Sequence, residues 1–285
     1  FPAVYEKPQL NNLIQVHQNE ARHQLIVTFI NRHSEKHAFY KHRNSLYVMV
    51  CHLIESKHEL GLFCILKEKS LVHDIHCYYK AIDQRTDELV ISMHLTEQGA
   101  VETAEIYDYI QHFITFLKRS GIEPWRFREK SSQYETSLHM NKGSSLLEDC
   151  IDVSQGMIQK GIISSAQYND LSVEFFVENH ITDNQPWLHL PDVLSKLTAE
   201  NTRVYFISST ALTERCTKHF DTPYKVEKLV QNGQTLTSNS PKYVMPRQNP
   251  YMSSEHPMVH GQLPPTELLH LHSQQVDFKF YQDLR

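Results

Sequence analysis

The stretch from residue 88 to residue 127 constrains the fold more than any other part of the chain. Residues 88–94 have the composition of a β-strand, and Thr96, which follows almost directly, is a typical helix N-cap. Gly121 and Pro124 then supply the signals of a helix end. Between these signals, apolar residues recur at helical spacing at Val101, Ile106, Tyr107, Ile110, Phe113, Ile114 and Leu117. The stretch therefore predicts a strand, a long helix with one broad buried face, a corner and a second helix.

The rest of the chain mixes strand-like and helix-like segments. Strand patterns cover residues 13–17, 24–30, 71–80 and 198–208, and helix patterns cover 34–56, 60–69, 124–139, 146–159, 168–177 and 191–197. We expect 13–17 and 24–30 to pair across a turn, and 71–80 to pair antiparallel with 88–94. The sequence thus predicts an α+β fold in which a mostly antiparallel sheet packs against helices.

The composition argues against two classes of function. The 28 basic and 33 acidic residues are dispersed, so no basic stripe indicates nucleic-acid binding. No apolar run is long enough for a membrane span.

The five cysteines form no C-x-x-C pair, and we interpret them as free, mostly buried thiols. Neither end looks like a natural terminus, so we expect a piece of a longer protein, with the cytoplasm and the periplasm both left open.

Three motifs, in order along the chain, resemble the insulinase/pitrilysin family of zinc peptidases. The first comprises Leu95, Thr96, Glu97, Gly99, Gly121, Trp125 and Phe127; the second comprises Leu197, Thr198, Glu200, Asn201, Arg203 and Val204; the third comprises Thr222, Pro223, Tyr224, Lys225 and Val226. Residues 249–252 also resemble the segment that joins the two halves of these enzymes, although Ser253 stands where proline is usual. The resemblance implies an insulinase-like (LuxS/metallohydrolase-like) peptidase repeat domain, the second of four in the family's chain.

The resemblance also implies an organisation and a function. Residues 1–228 would form the second, non-zinc domain, 229–266 the linker between the halves, and 267–285 the first strands of the following domain. The full-length protein would be a zinc-dependent endopeptidase that encloses and degrades peptides. This domain would contribute chamber wall and substrate contacts, with peptide substrates and the remaining domains of the same chain as its partners. The alternative is an inactive family member that acts as a scaffold or peptide-binding subunit.

The family's zinc-binding motif, H-x-x-E-H, is absent from this sequence. Its nearest counterpart begins at His52 and includes Glu55, but Ser56 replaces the second histidine. A site formed by His52, Glu55 and His58 is disfavoured because this spacing spreads the ligands around a helix. We therefore predict no catalytic and no metal-binding residues in this chain, and expect zinc to bind elsewhere in the full-length enzyme. The fragment alone should be inactive.

Other histidine pairs give no stronger metal signal. His73 and His76 have an odd spacing, which places them on opposite faces of a regular strand. His270 and His272 share a face, but no third ligand is near in sequence. An independent hydrolase built on histidines and cysteines is a further hypothesis, although no G-x-S-x-G motif supports it.

The resemblance points to one strand as the substrate contact. In the family, the strand aligned with residues 75–81 forms an exosite edge that pairs with the N-terminal part of the substrate by β-augmentation. The candidate substrate-binding residues are His76, Cys77, Tyr78 and Tyr79. Relatives commonly have two glycines and an acidic residue at this edge, which this chain lacks. An ordinary sheet strand is the alternative interpretation.

Overall fold

A computed structural model describes residues 9–20, 22–32, 43–82, 86–140, 186–229, 241–249, 269–273 and 276–280. The chain divides into two compact units, residues 1–248 and residues 249–285. The predicted helices at 146–159 and 168–177 lie outside the described residues, as do residues 34–42 of the first predicted helix. The predicted linker is described only at residues 229 and 241–249. The boundaries at residues 228 and 266 therefore remain predictions.

The described part of the first unit contains seven strands in one sheet. They are β1 (Asn12–His17), β2 (His23–Arg32), β3 (Val72–Ala81), β4 (Thr86–Leu95), β5 (Thr202–Ser208), β6 (Arg215–Cys216) and β7 (Pro223–Lys228). Their order across the sheet is β3-β4-β2-β5-β1-β7-β6. All neighbouring pairs are antiparallel except β1 and β5, which run parallel. The prediction of an α+β fold with a mostly antiparallel sheet is confirmed.

The expected pairing of the first two strands is wrong. β5 lies between β1 and β2, with Val204 paired to Leu13 on one side and to Val27 on the other. β1 and β2 are therefore not hydrogen-bonded to each other, although only five residues separate them in the sequence. This insertion places β5, which is far along the sequence, at the centre of the sheet.

Six helices belong to the described part of the chain. They are α1 (Arg43–Glu55), α2 (Leu62–Glu68), α3 (Glu97–Val101), α4 (Thr103–Ser120), α5 (Pro124–Met140) and α6 (Leu190–Lys196). Short 3₁₀ turns cover Pro186–His189 and Ala199–Asn201. The predicted helices at 34–56, 60–69, 124–139 and 191–197 correspond to α1, α2, α5 and α6. No helix among the described residues is long and apolar enough to cross a membrane.

The long helix predicted after Thr96 is two helices, broken at Glu102. The backbone of Glu102 (φ −101°, ψ 33°) ends α3 and begins α4. Val101 consequently does not belong to the buried stripe, and it is 84% exposed. The other six predicted positions, all in α4, are buried as expected: Ile106, Tyr107, Ile110, Phe113, Ile114 and Leu117.

A close approach of backbone to backbone fixes α3 against the start of β3. Thr96 is the N-cap, because its hydroxyl oxygen accepts from the Gly99 amide at 2.9 Å. The same hydroxyl donates to the Ser70 carbonyl at 2.5 Å, and the Thr96 amide donates to the Leu71 carbonyl at 3.1 Å. A Cβ on Gly99 would lie 1.9 Å from the Leu71 carbonyl oxygen. The threonine and the glycine of the first motif are therefore required by packing.

The core lies between the sheet and the helices. α1 and α2 lie against β3, while α4 packs on α2 and α6. The inward positions of α1 and α2 are fully or almost fully buried, as the sequence predicted: Leu46, Tyr47, Val50, Leu53, Ile54, Leu62, Phe63, Ile65 and Leu66. Burying these side chains supplies most of the driving force for docking the helices, at about 1.5–3 kcal/mol for each large apolar residue.

The segment 241–248, which belongs to the predicted linker, packs on the helices of the first unit. The rings of Tyr243 and Phe113 pack in a T-shaped arrangement with 5.0 Å between centroids, and the Tyr243 hydroxyl donates to the Tyr109 carbonyl at 3.0 Å. Arg126 Nη1 donates to the Pro246 carbonyl at 2.6 Å. The segment therefore has specific anchors, although its composition resembles that of a flexible linker.

The second unit contains one described hairpin. β8 (Leu269–Ser273) and β9 (Val276–Phe280) pair antiparallel, with Leu271 opposite Phe278. His270 and His272 are two residues apart on β8, opposite Lys279 and Asp277. The strand-like pattern expected at the end of the sequence is present.

Candidate functional site

The predicted substrate-binding strand, β3, is at one end of the sheet order. Among the described strands only β4 pairs with it, so its other edge has no strand partner. Side chains alternate along it: Cys77 is buried, whereas His76 and Tyr78 are exposed. All four candidate residues therefore lie on an edge strand, which is the geometry that β-augmentation requires.

The four candidate residues divide into two pairs with different surroundings. Tyr79 is partly buried: its ring stacks on Tyr47 at 4.8 Å between centroids, and its hydroxyl donates to Asp87 Oδ1 at 2.9 Å. His76 and Tyr78 have solvent-exposed rings that contact each other at 5.5 Å. In this second pair the side chains are more accessible, with His76 70% and Tyr78 42% exposed. The prediction that these four residues bind substrate is not tested by these contacts and stays a prediction.

Glu55, the last residue of α1, caps the open edge of β3. Its Oε1 accepts from the Cys77 amide at 2.5 Å and lies 2.6 Å from His76 Nδ1. The Cys77 amide thus points away from β4, and by strand alternation the amides of Ile75 and Tyr79 point the same way. A peptide that pairs with this edge would have to displace the Glu55 carboxylate from the Cys77 amide.

A pocket of about 280 Å³ opens beside this edge, between α1, β3 and α5. Its lining combines residues from all three elements: Val48, Cys51, His52, Glu55, Cys77, Tyr78, Tyr79 and Lys130. Three of the four predicted site residues line it, which the sequence could not show. Lys130 was missed altogether, since nothing near it in the sequence indicates that its position on α5 faces α1.

The pocket has an unusual charge balance. Lys130 Nζ lies 3.5 Å from His52 Nδ1. Burial, helped by the positive charges of Lys130, Arg126 and His58, lowers the pKa of His52 to about 4, so the imidazole is neutral at pH 7. Burial also lowers the pKa of Lys130, and the Glu55 carboxylate partly opposes this effect. Burial, followed by the Cys51 thiol, raises the pKa of Cys77 well above its usual range, so its thiol stays protonated.

The side chains nearest to a zinc motif do not converge on one point. His52 faces Lys130, and Glu55 is bound to the edge of β3. His58 lies 2.8 Å from Ser56 Oγ through Nδ1 and 2.6 Å from the Val244 carbonyl through Nε2. Within the described residues, no three His, Cys, Asp or Glu side chains are grouped as metal ligands would be. The donors present do not fit a zinc ion.

His73 and His76 differ from the sequence argument in one respect. A register irregularity between Val72 and Asp74 interrupts the alternation of β3, and both histidines are exposed. The opposite-face argument assumed a regular strand, so it does not hold at this position. His76 Nδ1 nevertheless lies 2.6 Å from Glu55 Oε1, so this nitrogen already has a protein partner.

Comparison with solved structures shows the fold. Pitrilysin superposes with a TM-score of 0.72 at 18% identity, and the match covers 96% of this chain and 27% of pitrilysin. A protease from Helicobacter pylori (TM-score 0.48, 13% identity, 72% of this chain and 47% of that one) also matches. So does a peptidase M16 inactive domain from Pseudomonas fluorescens (TM-score 0.45, 12% identity, 71% and 45%). The fold assignment does not depend on these two.

The chain matches no protein-family profile and no curated protein sequence. It spans about a quarter of the pitrilysin chain. The structural match, with the α+β architecture described above, confirms the sequence-based recognition: this chain has the fold of the insulinase/pitrilysin peptidases.

Proposed function

We propose that this chain is the second, non-catalytic domain of a zinc-dependent endopeptidase that encloses and degrades peptides. The observation that carries the proposal is the edge strand β3, which leaves backbone groups open to a peptide in a pitrilysin-like fold. The domain supplies chamber wall and substrate contacts, and the remaining domains of the same chain supply the zinc site. The absence of H-x-x-E-H from the sequence and the divergent directions of His52, Glu55 and His58 support this division.

In this proposal the peptide extends β3 by one strand. The Cys77 amide points to the open edge, and by strand alternation the amides and carbonyls of Ile75 and Tyr79 do the same. In an added strand these amides would donate to the peptide carbonyls, and these carbonyls would accept from the peptide amides. Glu55 swings away from Cys77 as the peptide arrives. Binding of this kind has little sequence preference, which suits an enzyme that degrades many peptides.

Hydrogen–deuterium exchange of the 285-residue chain, with and without a ten-residue unstructured peptide, tests the proposal. We expect peptide-dependent protection in β3, with no change at β6, which forms the opposite end of the sheet and serves as an internal control. The peptide should stay intact with zinc present. Hydrolysis of the peptide by the chain, or an unchanged exchange rate in β3 at saturating peptide, would refute the proposal.

One observation favours the alternative, an inactive scaffold or peptide-binding subunit. The Glu55 carboxylate occupies the edge position where a substrate would pair, which protects the edge without any ligand. The sequence encoded before residue 1 discriminates between the two: an intact H-x-x-E-H there supports the enzyme, and a substituted motif supports the scaffold.

A further inference from the structure

The pocket beside β3 carries an inference that rests on, and goes beyond, the proposed function. Its walls are largely apolar, formed by Val48, by the buried thiols of Cys51 and Cys77, and by the ring of Tyr79. A volume of about 280 Å³ is close to the lower end of the range for small-molecule sites, roughly 300–1,000 Å³. The space therefore suits one side chain of a bound peptide better than a large ligand.

Lys130 forms no ion pair with a carboxylate of the described residues, although Glu55 lines the same pocket and acts on the pKa of Lys130 from a longer distance. Among the described residues, its ammonium has one hydrogen-bond partner, the neutral imidazole of His52, and no carboxylate within ion-pair distance. Glu55, the pocket's own carboxylate, contacts His76 Nδ1 at 2.6 Å as well as the Cys77 amide, and the His76 contact does not depend on the amide that a peptide would take. A half-buried cation in this position gains more from a ligand anion than an exposed lysine does, because water screens it less.

We propose that this pocket selects an acidic side chain of the peptide that lies along β3, and that Lys130 is its counter-ion. The methylene groups of a glutamate would pack on the apolar walls, and its carboxylate would reach the ammonium. The net charge of the whole chain is −5, which disfavours acidic peptides in general. A preference for glutamate must therefore come from a local contact.

Fluorescence anisotropy with labelled ten-residue peptides tests this proposal. Each position in turn carries Glu, Gln or Lys in a constant Thr-Ala background. At one position we expect Glu to bind about tenfold or more tightly than Gln, since a charge-assisted hydrogen bond replaces a neutral one. Lys130→Met should abolish this preference and Lys130→Arg should keep it. Lys57→Met serves as the control, because Lys57 is 71% exposed and pairs with Asp74 on β3 outside the pocket. This variant should leave the preference for Glu over Gln unchanged.

The outcomes separate the two proposals. If peptides bind and protect β3 but no position prefers Glu over Gln, the selectivity pocket is refuted and the edge-strand function stands. A Glu preference that survives in Lys130→Met also refutes the role of Lys130. If no peptide binds at all, the proposed function fails and the pocket proposal fails with it. The comparison of Glu with Gln in the wild-type chain needs no variant, so it is informative even if Lys130→Met does not fold.

Discussion

Replacing Gly99 with alanine tests the close approach that joins α3 to β3. Alanine in a helix is normally about 1 kcal/mol more favourable than glycine, so helix propensity alone predicts stabilisation. The structure predicts the opposite, because the new Cβ would lie 1.9 Å from the Leu71 carbonyl oxygen. The neighbouring atom belongs to the backbone, so no side-chain rotation can relieve the contact.

The expected loss of stability in Gly99→Ala follows from the contacts that α3 would lose if it moved away from Leu71. Overpacking of a well-packed site costs about 1–3 kcal/mol. Moving α3 away from Leu71 also weakens the bond from the Thr96 amide to the Leu71 carbonyl and the bond from the Thr96 hydroxyl to the Ser70 carbonyl, each contributing about 1 kcal/mol. After the gain in helix propensity is subtracted, we expect Gly99→Ala to lower the free energy of unfolding by about 3 kcal/mol.

Urea denaturation followed by tryptophan fluorescence measures this change, and two control variants isolate its cause. Gln98→Ala, in the same helix but exposed, should change stability by less than about 0.5 kcal/mol. Gly121→Ala should cost about 1–3 kcal/mol through its backbone alone, since Gly121 has φ 67° and ψ 177° and a Cβ there would meet no atom of the described residues within 4 Å. A Gly99→Ala variant as stable as the wild type, or more stable, would refute the close approach.

Three further predictions concern single side chains. The titration of His52 should by itself lower the free energy of unfolding by roughly 2.5 kcal/mol between pH 6.5 and pH 4, because the unfolded chain protonates His52 at its ordinary pKa of 6.5 whereas the folded chain does so only at about 4. In a pH-dependent urea series, His52→Gln should lose less stability over this range than the wild type does. Tyr243→Phe should cost about 1 kcal/mol in thermal unfolding by removing the bond to the Tyr109 carbonyl, and an unchanged melting temperature would contradict the docking of segment 241–248. Tyr47→Phe should lower the free energy of unfolding, measured by urea denaturation, by about 1–3 kcal/mol, because Asn31 Nδ2 donates to the Tyr47 hydroxyl at 2.7 Å in a buried site. Adding Asn31→Ala to the Tyr47→Phe variant should then cause little further loss of stability.

Local signals predicted the local parts of this fold. Thr96 and Gly121 act at the helix ends as their residue types indicated, and the α4 stripe is buried at each predicted position. These features depend on residues within one or two helical turns, so their chemistry can be read directly from the sequence. The break at Glu102 escaped prediction because neither glycine nor proline marks it.

Long-range features could not be predicted in the same way. β5 follows β2 by about 170 residues and still separates it from β1, and no local pattern encodes that insertion. The pocket likewise depends on α5 approaching α1, which brings Lys130 to His52 across 78 positions. Glu55 attracted notice in the sequence only as part of an incomplete zinc motif, whereas its contact with Cys77 depends on where α1 ends relative to β3.

The Glu55 carboxylate partly protects the open edge of β3, because it accepts a hydrogen bond from the Cys77 amide. An unprotected edge invites pairing with any other strand, including one from a second copy. One charge-assisted hydrogen bond contributes about 1.5–3 kcal/mol, and the carboxylate that makes it is itself one-third exposed, so water already competes for it. A peptide that offers partners to Ile75, Cys77 and Tyr79 together can outweigh this single bond, whereas a chance contact with one of them cannot. The Glu55 carboxylate thus increases the binding free energy that a strand must supply to pair with β3, but it does not block the edge. A ligand that also fills the neighbouring pocket supplies this free energy most easily.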